Sequence, residues 1–240
     1  MNVLSLFSGI GGLELGLERA GMTVVGQVEI DPFCRSVLAK HWPEVPRHDD
    51  VRTCVEWWRS EPRPPVRVVC GGPPCQSASY LGLRLGSADP RWGWPWLLDV
   101  VRAVGPEYVI VENPPAILTL HDGRAFGGIL GALADLGFDA EWSVLSACAF
   151  GAPHTRERLF MVAHAAGGGR EPGRGPRPAA QEVEPRRRDA QPGGPWTGEP
   201  GVHGVAYGVP RAMERRRGLG NAVVPQVSEY IGRLVMGAAA

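Results

Sequence analysis

The chain has 240 residues, no net formal charge and 44% hydrophobic residues. This size allows one large domain, or one domain with a small appendage. No apolar run reaches the roughly 18 residues of a membrane span, and no basic segment precedes an apolar stretch at the N-terminus, so we expect a cytoplasmic protein without a membrane partner. The five cysteines form no C-x-x-C pair and no His/Cys cluster has zinc spacing; we predict reduced thiols and no metal.

Short apolar runs alternate with amphipathic stretches along the first 164 residues. The runs predict strands over residues 3–7, 23–28, 66–70, 107–112, 140–146 and 159–163, and the stretches predict helices over 12–20, 31–40, 94–104 and 123–136. Alternation of this kind predicts an α/β fold with an open, mostly parallel sheet and helices on both faces. Loops that follow the strands would open at the carboxyl edge of the sheet, where such folds bind ligands.

The first predicted strand leads into a glycine-rich turn, Gly9-Ile10-Gly11-Gly12, and then into a helix that ends at Gly21. The second predicted strand ends at Glu29, about 20 residues after the turn. Small residues would let the backbone approach a ligand, and an acid at this spacing would bind ribose hydroxyls. The turn is not G-x-G-x-x-G, so the pattern favours an adenosine-containing ligand without indicating a dinucleotide.

A cysteine lies on a proline-stiffened loop after the third predicted strand, within Gly71-Gly72-Pro73-Pro74-Cys75-Gln76. Two prolines fix φ and remove two backbone donors, so they hold the thiol in one direction. A cysteine kept for packing needs no such support. Because reactive cysteines lie in partly exposed sites, we interpret Cys75 as a nucleophile rather than a core thiol.

The composition changes after residue 164. Glycine and proline dominate residues 165–204, where large apolar residues are few, so we expect a mostly disordered or loosely held segment. Residues 165–217 carry a net positive charge and residues 1–164 a net negative one. This asymmetry fits either a basic arm that contacts nucleic-acid phosphate or a solvated charged loop. Residues 223–236 predict an apolar closing helix.

Six segments, in this order, resemble those of the DNA (cytosine-5)-methyltransferase family of bacteria and phages. They are Phe7-Ser8-Gly9-Ile10-Gly11-Gly12, Glu29, Pro73-Pro74-Cys75-Gln76, Glu112-Asn113, Arg156-Glu157-Arg158 and Gly220-Asn221-Ala222-Val223. The resemblance covers most of the chain. It implies a Rossmann-like sheet of the S-adenosylmethionine-dependent methyltransferases, with a reduced target-recognition region.

The family's chemistry implies a role for four of these side chains. Cys75 would add to carbon 6 of a flipped-out cytosine, and Glu112 would protonate or hydrogen-bond ring nitrogen 3. Arg156 and Arg158 would fix the base and would serve as cationic neighbours that favour the Cys75 thiolate. Burial should raise the pKa of Glu112 above about 4.3, so that it can donate a proton at neutral pH.

The resemblance also implies a pocket for S-adenosyl-L-methionine. The glycine turn would face the methionine carboxylate, Glu29 the ribose hydroxyls and Ile30 the adenine ring. Asp50, preferred to Asp49 through alignment by Val51, would meet the adenine amine. The predicted lining residues are Phe7, Gly9, Ile10, Gly11, Gly12, Glu29, Ile30, Asp50, Pro74, Asn221 and Ala222.

The same resemblance divides the chain into three parts. Residues 1–164 would form the catalytic and cofactor-binding domain, residues 165–210 a short target-recognition region, and residues 211–240 a C-terminal segment that returns to the catalytic domain. The recognition region is usually larger in the family, and its reduction here leaves the target sequence open. The expected partner is double-stranded DNA; a cognate restriction endonuclease cannot be deduced, and we expect a monomer.

Three alternatives remain open at this stage. Asn113-Pro114-Pro115 is similar to the motif of methyltransferases that act on exocyclic amines, but Ala116 stands where those enzymes have a base-stacking ring. The same pocket would also suit cytosine in RNA, as in a tRNA-acting relative of the family. A DNA- or cofactor-binding relic without activity would explain the reduced recognition region.

Overall fold

The computed structural model describes residues 1–75, 92–166 and 218–239. The strands within these ranges form one sheet and are β1 (Asn2–Leu6), β2 (Thr23–Val28), β3 (Arg47–His48), β4 (Val68–Gly71), β5 (Tyr108–Asn113), β6 (Phe138–Ser146) and β7 (Glu157–Ala165). The helices are α1 (Gly12–Arg19), α2 (Pro32–His41), α3 (Cys54–Arg59), α4 (Trp94–Val104), α5 (Arg124–Asp135) and α6 (Pro225–Ala238), with a further helical turn at 218–221. In these ranges, no helix has the length and apolarity to cross a membrane.

The sheet has seven strands in the order β3-β2-β1-β4-β5-β7-β6. The strands β3, β2, β1, β4 and β5 are parallel to one another, and β7 runs antiparallel to both β5 and β6. The strand order reverses between β1 and β4, so the loops after these two strands diverge and leave a crevice at the carboxyl edge. The glycine turn follows β1 and the Cys75 loop follows β4, which places both at this crevice.

The predicted α/β class is confirmed, and β2 and α4 have the predicted bounds. The strand predicted from residue 66 begins at Val68, and the closing helix begins at Pro225, since proline suits the first helical turn. The sequence analysis missed β3 and α3, which have two and six residues. Residues 167–210 of the predicted recognition region, and residues 211–217 of the predicted C-terminal segment, lie outside the described residues.

Apolar side chains cover the two faces of the sheet. One buried cluster joins alternate residues of β1, β4 and β5 to α4 and α5, and the other joins the intervening strand residues to α1 and α6. Strand side chains alternate between faces, so β1, β4 and β5 each contribute to both clusters. Helices therefore cover both faces, as predicted.

Helix α6 packs on α1 at two glycines. A Cβ atom on Gly12 would collide with the carbonyl of Val223, and one on Gly16 would collide with the carbonyl of Pro225 and the hydroxyl of Ser228. The Ser228 hydroxyl donates a hydrogen bond to the Gly12 carbonyl, with an Oγ–O distance of 3.2 Å. This close approach holds residues 222–225 against the glycine turn.

A buried carboxyl lies beneath the glycine turn. Glu14, on α1, is fully buried and accepts a 2.7 Å hydrogen bond from Ser5 Oγ, which in turn accepts one from Ser8 Oγ at 3.0 Å. Burial raises the pKa of Glu14 to about 7, and the charge of Glu29 adds to this rise. A charged residue between the apolar positions Leu13 and Leu17 is the signal that the sequence analysis overlooked.

We expect Gly16→Ala to lower the free energy of unfolding by about 2 kcal/mol, because the added methyl group must displace backbone and hydroxyl atoms of α6. Gly131→Ala is the control. A Cβ atom at Gly131, inside α5, meets nothing within 4 Å, so alanine there should stabilise by about 0.5–1 kcal/mol. Urea unfolding followed by circular dichroism measures both. Equal stability of the two variants would contradict the close approach of α6.

We expect Glu14→Gln to gain stability relative to the wild type as the pH rises from 5 to 8. The folded-state pKa of about 7 exceeds the unfolded value, so the folded protein binds the extra proton and loses stability as the pH rises through this window. The difference should grow by about 3 kcal/mol. Glu107→Gln is the control, since Arg67 holds the pKa of that exposed carboxyl below its usual range. A pH-independent Glu14→Gln difference in urea unfolding would contradict the prediction.

Candidate active site

Backbone hydrogen bonds fix the loop that carries Cys75. The buried side chain of Asn113, the last residue of β5, donates through Nδ2 to the Pro73 carbonyl at 2.8 Å. The amide of Gly93, just before α4, donates to the Pro74 carbonyl at 2.9 Å. Because proline carbonyls can only accept, each proline is held by a donor from another element. These bonds hold the loop backbone that leads to Cys75 between β5 and the start of α4.

The Cys75 thiol is half-buried. Burial raises its pKa, and the charge of Glu112 raises it further. The expectation that Arg156 and Arg158 would lower this pKa is wrong for this geometry. Both guanidinium groups are directed to other partners, Arg158 to the Glu112 carboxylate and Arg156 to backbone carbonyls. The resting thiol is therefore mostly protonated at neutral pH.

Glu112 lies next to the nucleophile loop and is 7% exposed. A Cβ atom on Gly72 would lie 3.4 Å from Glu112 Oε2, which shows how near the loop backbone comes. Arg158 Nε forms an ion pair with Glu112 Oε1 at 2.9 Å, although its N–H is not aligned for a hydrogen bond to that oxygen. Burial raises the pKa of Glu112, against the opposing charges of Arg158 and Arg156. The predicted direction of the shift is confirmed.

Arg156 contacts the returning C-terminal segment. Its Nη2 donates to the carbonyls of Gly220 and Ala222, each at 2.8 Å. Burial lowers the pKa of Arg156, and the charge of Arg158 lowers it further while that of Glu112 opposes the change. Arg156 thus stands between the predicted base site and the predicted cofactor site.

The glycine turn is joined to the end of β2 through a carboxylate. The Gly9 amide donates to Glu29 Oε2 and the Asp31 amide to Glu29 Oε1, both at 2.7 Å. Gly9 has φ +56° and Gly11 has φ +90°, a region that glycine adopts without steric cost. The spacing from the turn to Glu29, noted in the sequence, therefore corresponds to a direct contact.

Phe7 connects the glycine turn to the nucleophile loop. It adopts φ +54°, a left-handed conformation that is costly for an aromatic residue and that occurs at functional sites. A Cβ atom on Gly93 would lie 2.6 Å from Pro74 Cδ and 2.9 Å from Phe7 Cζ, so Phe7 and Pro74 converge on the same glycine. The two predicted lining residues are thus brought together.

The remaining predicted lining residues lie on the loops after β1, β2 and β3 and on the C-terminal segment. Ile30, two residues after β2, is 67% exposed, and Ile10 approaches the helical turn at Gly218. Asn221 is exposed at the end of that turn. Asp50 accepts hydrogen bonds from the backbone amide and the Nε of Arg52, both at 2.9 Å, which lowers its pKa. Asp50 is therefore already paired, which the sequence did not indicate.

The chemistry of the described site is that of a thiol, a buried carboxyl and two guanidinium groups. These residues come from the ends of β4 and β5 and from the start of β7, on the side of the sheet where the glycine turn lies. Among the residues that the structure describes, no group of three or more His, Cys, Asp or Glu side chains could hold a metal ion. The arrangement suits nucleophilic addition assisted by a proton donor.

The chain is similar in sequence to known Type II methyltransferases. The Type II methyltransferase M2.BsuMI of Bacillus subtilis is 34% identical over 168 residues, which are 68% of this chain and 42% of the relative. M.AquIA of Picosynechococcus sp. is 32% identical over 200 residues, which cover 76% of this chain and 80% of the relative. The chain spans less than half of the length of M2.BsuMI and of M.MthTI from Methanothermobacter thermautotrophicus.

Solved structures show the same fold. A prophage protein of E. coli described as a DNA modification methyltransferase has a TM-score of 0.57 and 27% identity, over 69% of this chain and 47% of its own. The S. pombe Dnmt2 methyltransferase, at 22% identity, has a TM-score of 0.57 over 71% of this chain and 51% of its own. The family model of the C-5 cytosine-specific DNA methylases matches residues 1–186. With this match over most of its length, the chain belongs to the C-5 cytosine-specific DNA methylase family.

Proposed function

We propose that the protein is a DNA (cytosine-5)-methyltransferase that methylates carbon 5 of a flipped-out cytosine through a covalent Cys75 adduct. The observation that carries the proposal is the placement of the Cys75 loop beside Glu112, a buried carboxyl whose pKa is raised and which pairs with Arg158. Family membership supports this reaction, and the geometry supports Cys75 as its nucleophile and Glu112 as its proton donor.

The crevice fits S-adenosyl-L-methionine. The turn with positive φ at Gly9 and Gly11 lets a ligand approach the backbone, and the exposed apolar surface of Ile30 suits an adenine ring. Each oxygen of the Glu29 carboxylate has two lone pairs, so it can accept from ribose hydroxyls while it accepts from the turn. The same pocket would be lined by Phe7, Pro74, Asn221 and Ala222. The Asp50 carboxylate would accept a hydrogen bond from the adenine amine while it keeps those from Arg52. When bound, the cofactor supplies an electrophilic methyl group.

Proton transfer in this site links the two acidic groups. The negative charge of Glu112 opposes the Cys75 thiolate, so protonation of Glu112 both prepares a proton donor and removes a charge that holds the thiol neutral. The thiol proton passes to solvent and the thiolate adds to carbon 6, so that the electrons of the carbon 5–carbon 6 double bond move towards carbon 5 while Glu112 gives its proton to ring nitrogen 3. After methyl transfer, a base removes the carbon 5 proton, Cys75 leaves as a thiolate, and ring nitrogen 3 returns its proton to Glu112. Arg158 holds the Glu112 carboxyl throughout, and Arg156 and Arg158 balance the charge beside the base.

The observed contacts favour this reaction over methylation of exocyclic amines. In that alternative the Asn113 side chain would face the substrate, whereas here its Nδ2 is used to hold the Pro73 carbonyl, and Ala116 supplies no ring. A relic without activity is less consistent with a nucleophile and an acid that are both in place. Double-stranded DNA remains the proposed substrate, with residues 165–210 as its recognition region.

We expect Cys75→Ser to abolish methylation, because a serine hydroxyl is a far weaker nucleophile than a thiolate. The wild-type chain and the variant would be expressed in a host without cytosine methylation, and genomic marks mapped by bisulfite sequencing. Cys148→Ser, at an exposed thiol outside the site, should retain every mark. Marks that persist in Cys75→Ser would exclude the covalent mechanism. Labelled methyl transfer to duplex DNA and to tRNA, measured in parallel, separates the DNA and RNA substrates.

We expect Glu112→Gln to lower kcat by about 100-fold or more, as loss of a general acid does, and to lower the pKa of Cys75. The second effect follows because the variant removes the negative charge that disfavours the thiolate. The rate of iodoacetamide alkylation of the Cys75 peptide, measured against pH by mass spectrometry, reports the thiol without requiring substrate. Glu107→Gln serves as the control, since its carboxyl pairs with Arg67. An unchanged or higher pKa would show that Glu112 does not act on the thiol.

A further inference from the structure

The Arg156 guanidinium holds the C-terminal segment from the side of β7. Its Nη2 donates hydrogen bonds to two carbonyls, those of Gly220 and Ala222. Both carbonyl oxygens lie 2.8 Å from this one nitrogen, which restricts the position of the guanidinium group. These two residues flank Asn221, a proposed cofactor contact. Hydrogen bonds from a charged donor are stronger than those between neutral groups, so one side chain fixes both neighbours of Asn221.

Helix α1 holds the same segment from the opposite side. The carbonyl of Val223 lies so near to Gly12 that a side chain there would collide with it. Ile10, within the glycine turn, approaches Gly218 at the start of the same segment, since a Cβ atom on Gly218 would lie 3.1 Å from its Cγ2. Residues 218–223 therefore lie between the glycine turn and the start of β7, with Arg156 as the contact from β7.

Arg156 also interacts electrostatically with the two other charged side chains of the proposed base site, Glu112 and Arg158. The charges of Glu112 and Arg158 both act on it, and it acts in turn on Glu112. Its Nε is buried and forms no hydrogen bond within the described parts of the chain. Burying a guanidinium has a desolvation cost, so the position of this side chain depends on the carbonyls and the carboxylate that surround it.

We propose that Arg156 is a positioning residue, which clamps residues 220–222 to the catalytic strand and so couples cofactor binding to the geometry of Glu112 and Arg158. The inference rests on the proposed function, because it assigns the segment a place in the cofactor pocket. Coupling between two sites is reciprocal. An occupied cofactor pocket therefore holds Arg156 in place, and an ordered base site strengthens cofactor binding.

The test measures binding of S-adenosylhomocysteine to the full 240-residue chain by isothermal titration calorimetry. Arg156→Met keeps an apolar stem without the two donated bonds and should weaken binding about tenfold, within the usual range of coupling between sites. Arg156→Lys should restore part of the affinity, because an ammonium group can still donate to a carbonyl. Arg233→Met is the control, an exposed arginine on α6 that pairs with Glu229. In turnover, the KM for S-adenosylmethionine should rise more than kcat falls.

Amide hydrogen exchange of the wild-type chain provides a measurement that needs no variant. S-adenosylhomocysteine should slow exchange in peptides covering residues 155–158 as well as 218–224, since the clamp joins them. Protection of the second range alone, or equal affinity of Arg156→Met and the wild type, would overturn the clamp and leave the proposed methyltransferase intact. A wild-type chain that binds no S-adenosylhomocysteine would remove both proposals.

Discussion

The burial of one carboxyl, that of Glu112, determines the electrostatics of the site. Its charge raises the pKa of the Cys75 thiol, attracts the Arg158 guanidinium and acts on Arg156. A nucleophile kept protonated at rest reacts little with other electrophiles, because the thiolate is the reactive species. Burial is the larger cause of the raised Cys75 pKa, and uptake of a proton by Glu112 removes the smaller, electrostatic cause. In the proposed mechanism the same event therefore prepares the acid and makes the thiolate less unfavourable.

The position of this carboxyl depends on the sheet. The loops after β1 and β4 diverge and so open the crevice. Because β5 lies beside β4, Glu112 near the end of β5 lies next to the loop that follows β4. Asn113, the next residue, has its side chain bound to the Pro73 carbonyl. One strand end thus supplies the proposed acid and also the anchor of the loop that carries Cys75. Because Glu112 and Asn113 are adjacent, the hydrogen bond that anchors the loop at Pro73 also keeps the loop of Cys75 near the Glu112 carboxyl.

Local patterns in the sequence predicted the elements and the individual groups, but not the contacts between distant segments. The bounds of β2 and α4 and the relation of Gly9 to Glu29 follow from short-range spacing. The pairing of Arg158 with Glu112 depends instead on the register of two antiparallel strands, in which Glu112 lies opposite Phe160. The bonds from Arg156 to Gly220 depend on a segment that returns after more than 60 residues, and no local pattern specifies such a return.

The C-terminal segment returns to the sheet through contacts with both the glycine turn and Arg156. The carbonyl of Val223 lies against Gly12, and the carbonyls of Gly220 and Ala222 accept hydrogen bonds from Arg156. Closing a flexible loop costs only about 0.6 kcal/mol more for each doubling of its length. The close approach at Gly12 and Gly16, together with the bonds from Arg156, can therefore hold the segment whether the intervening region is short, as here, or long. The length of the intervening chain is therefore only a weak constraint on the return of residues 218–239.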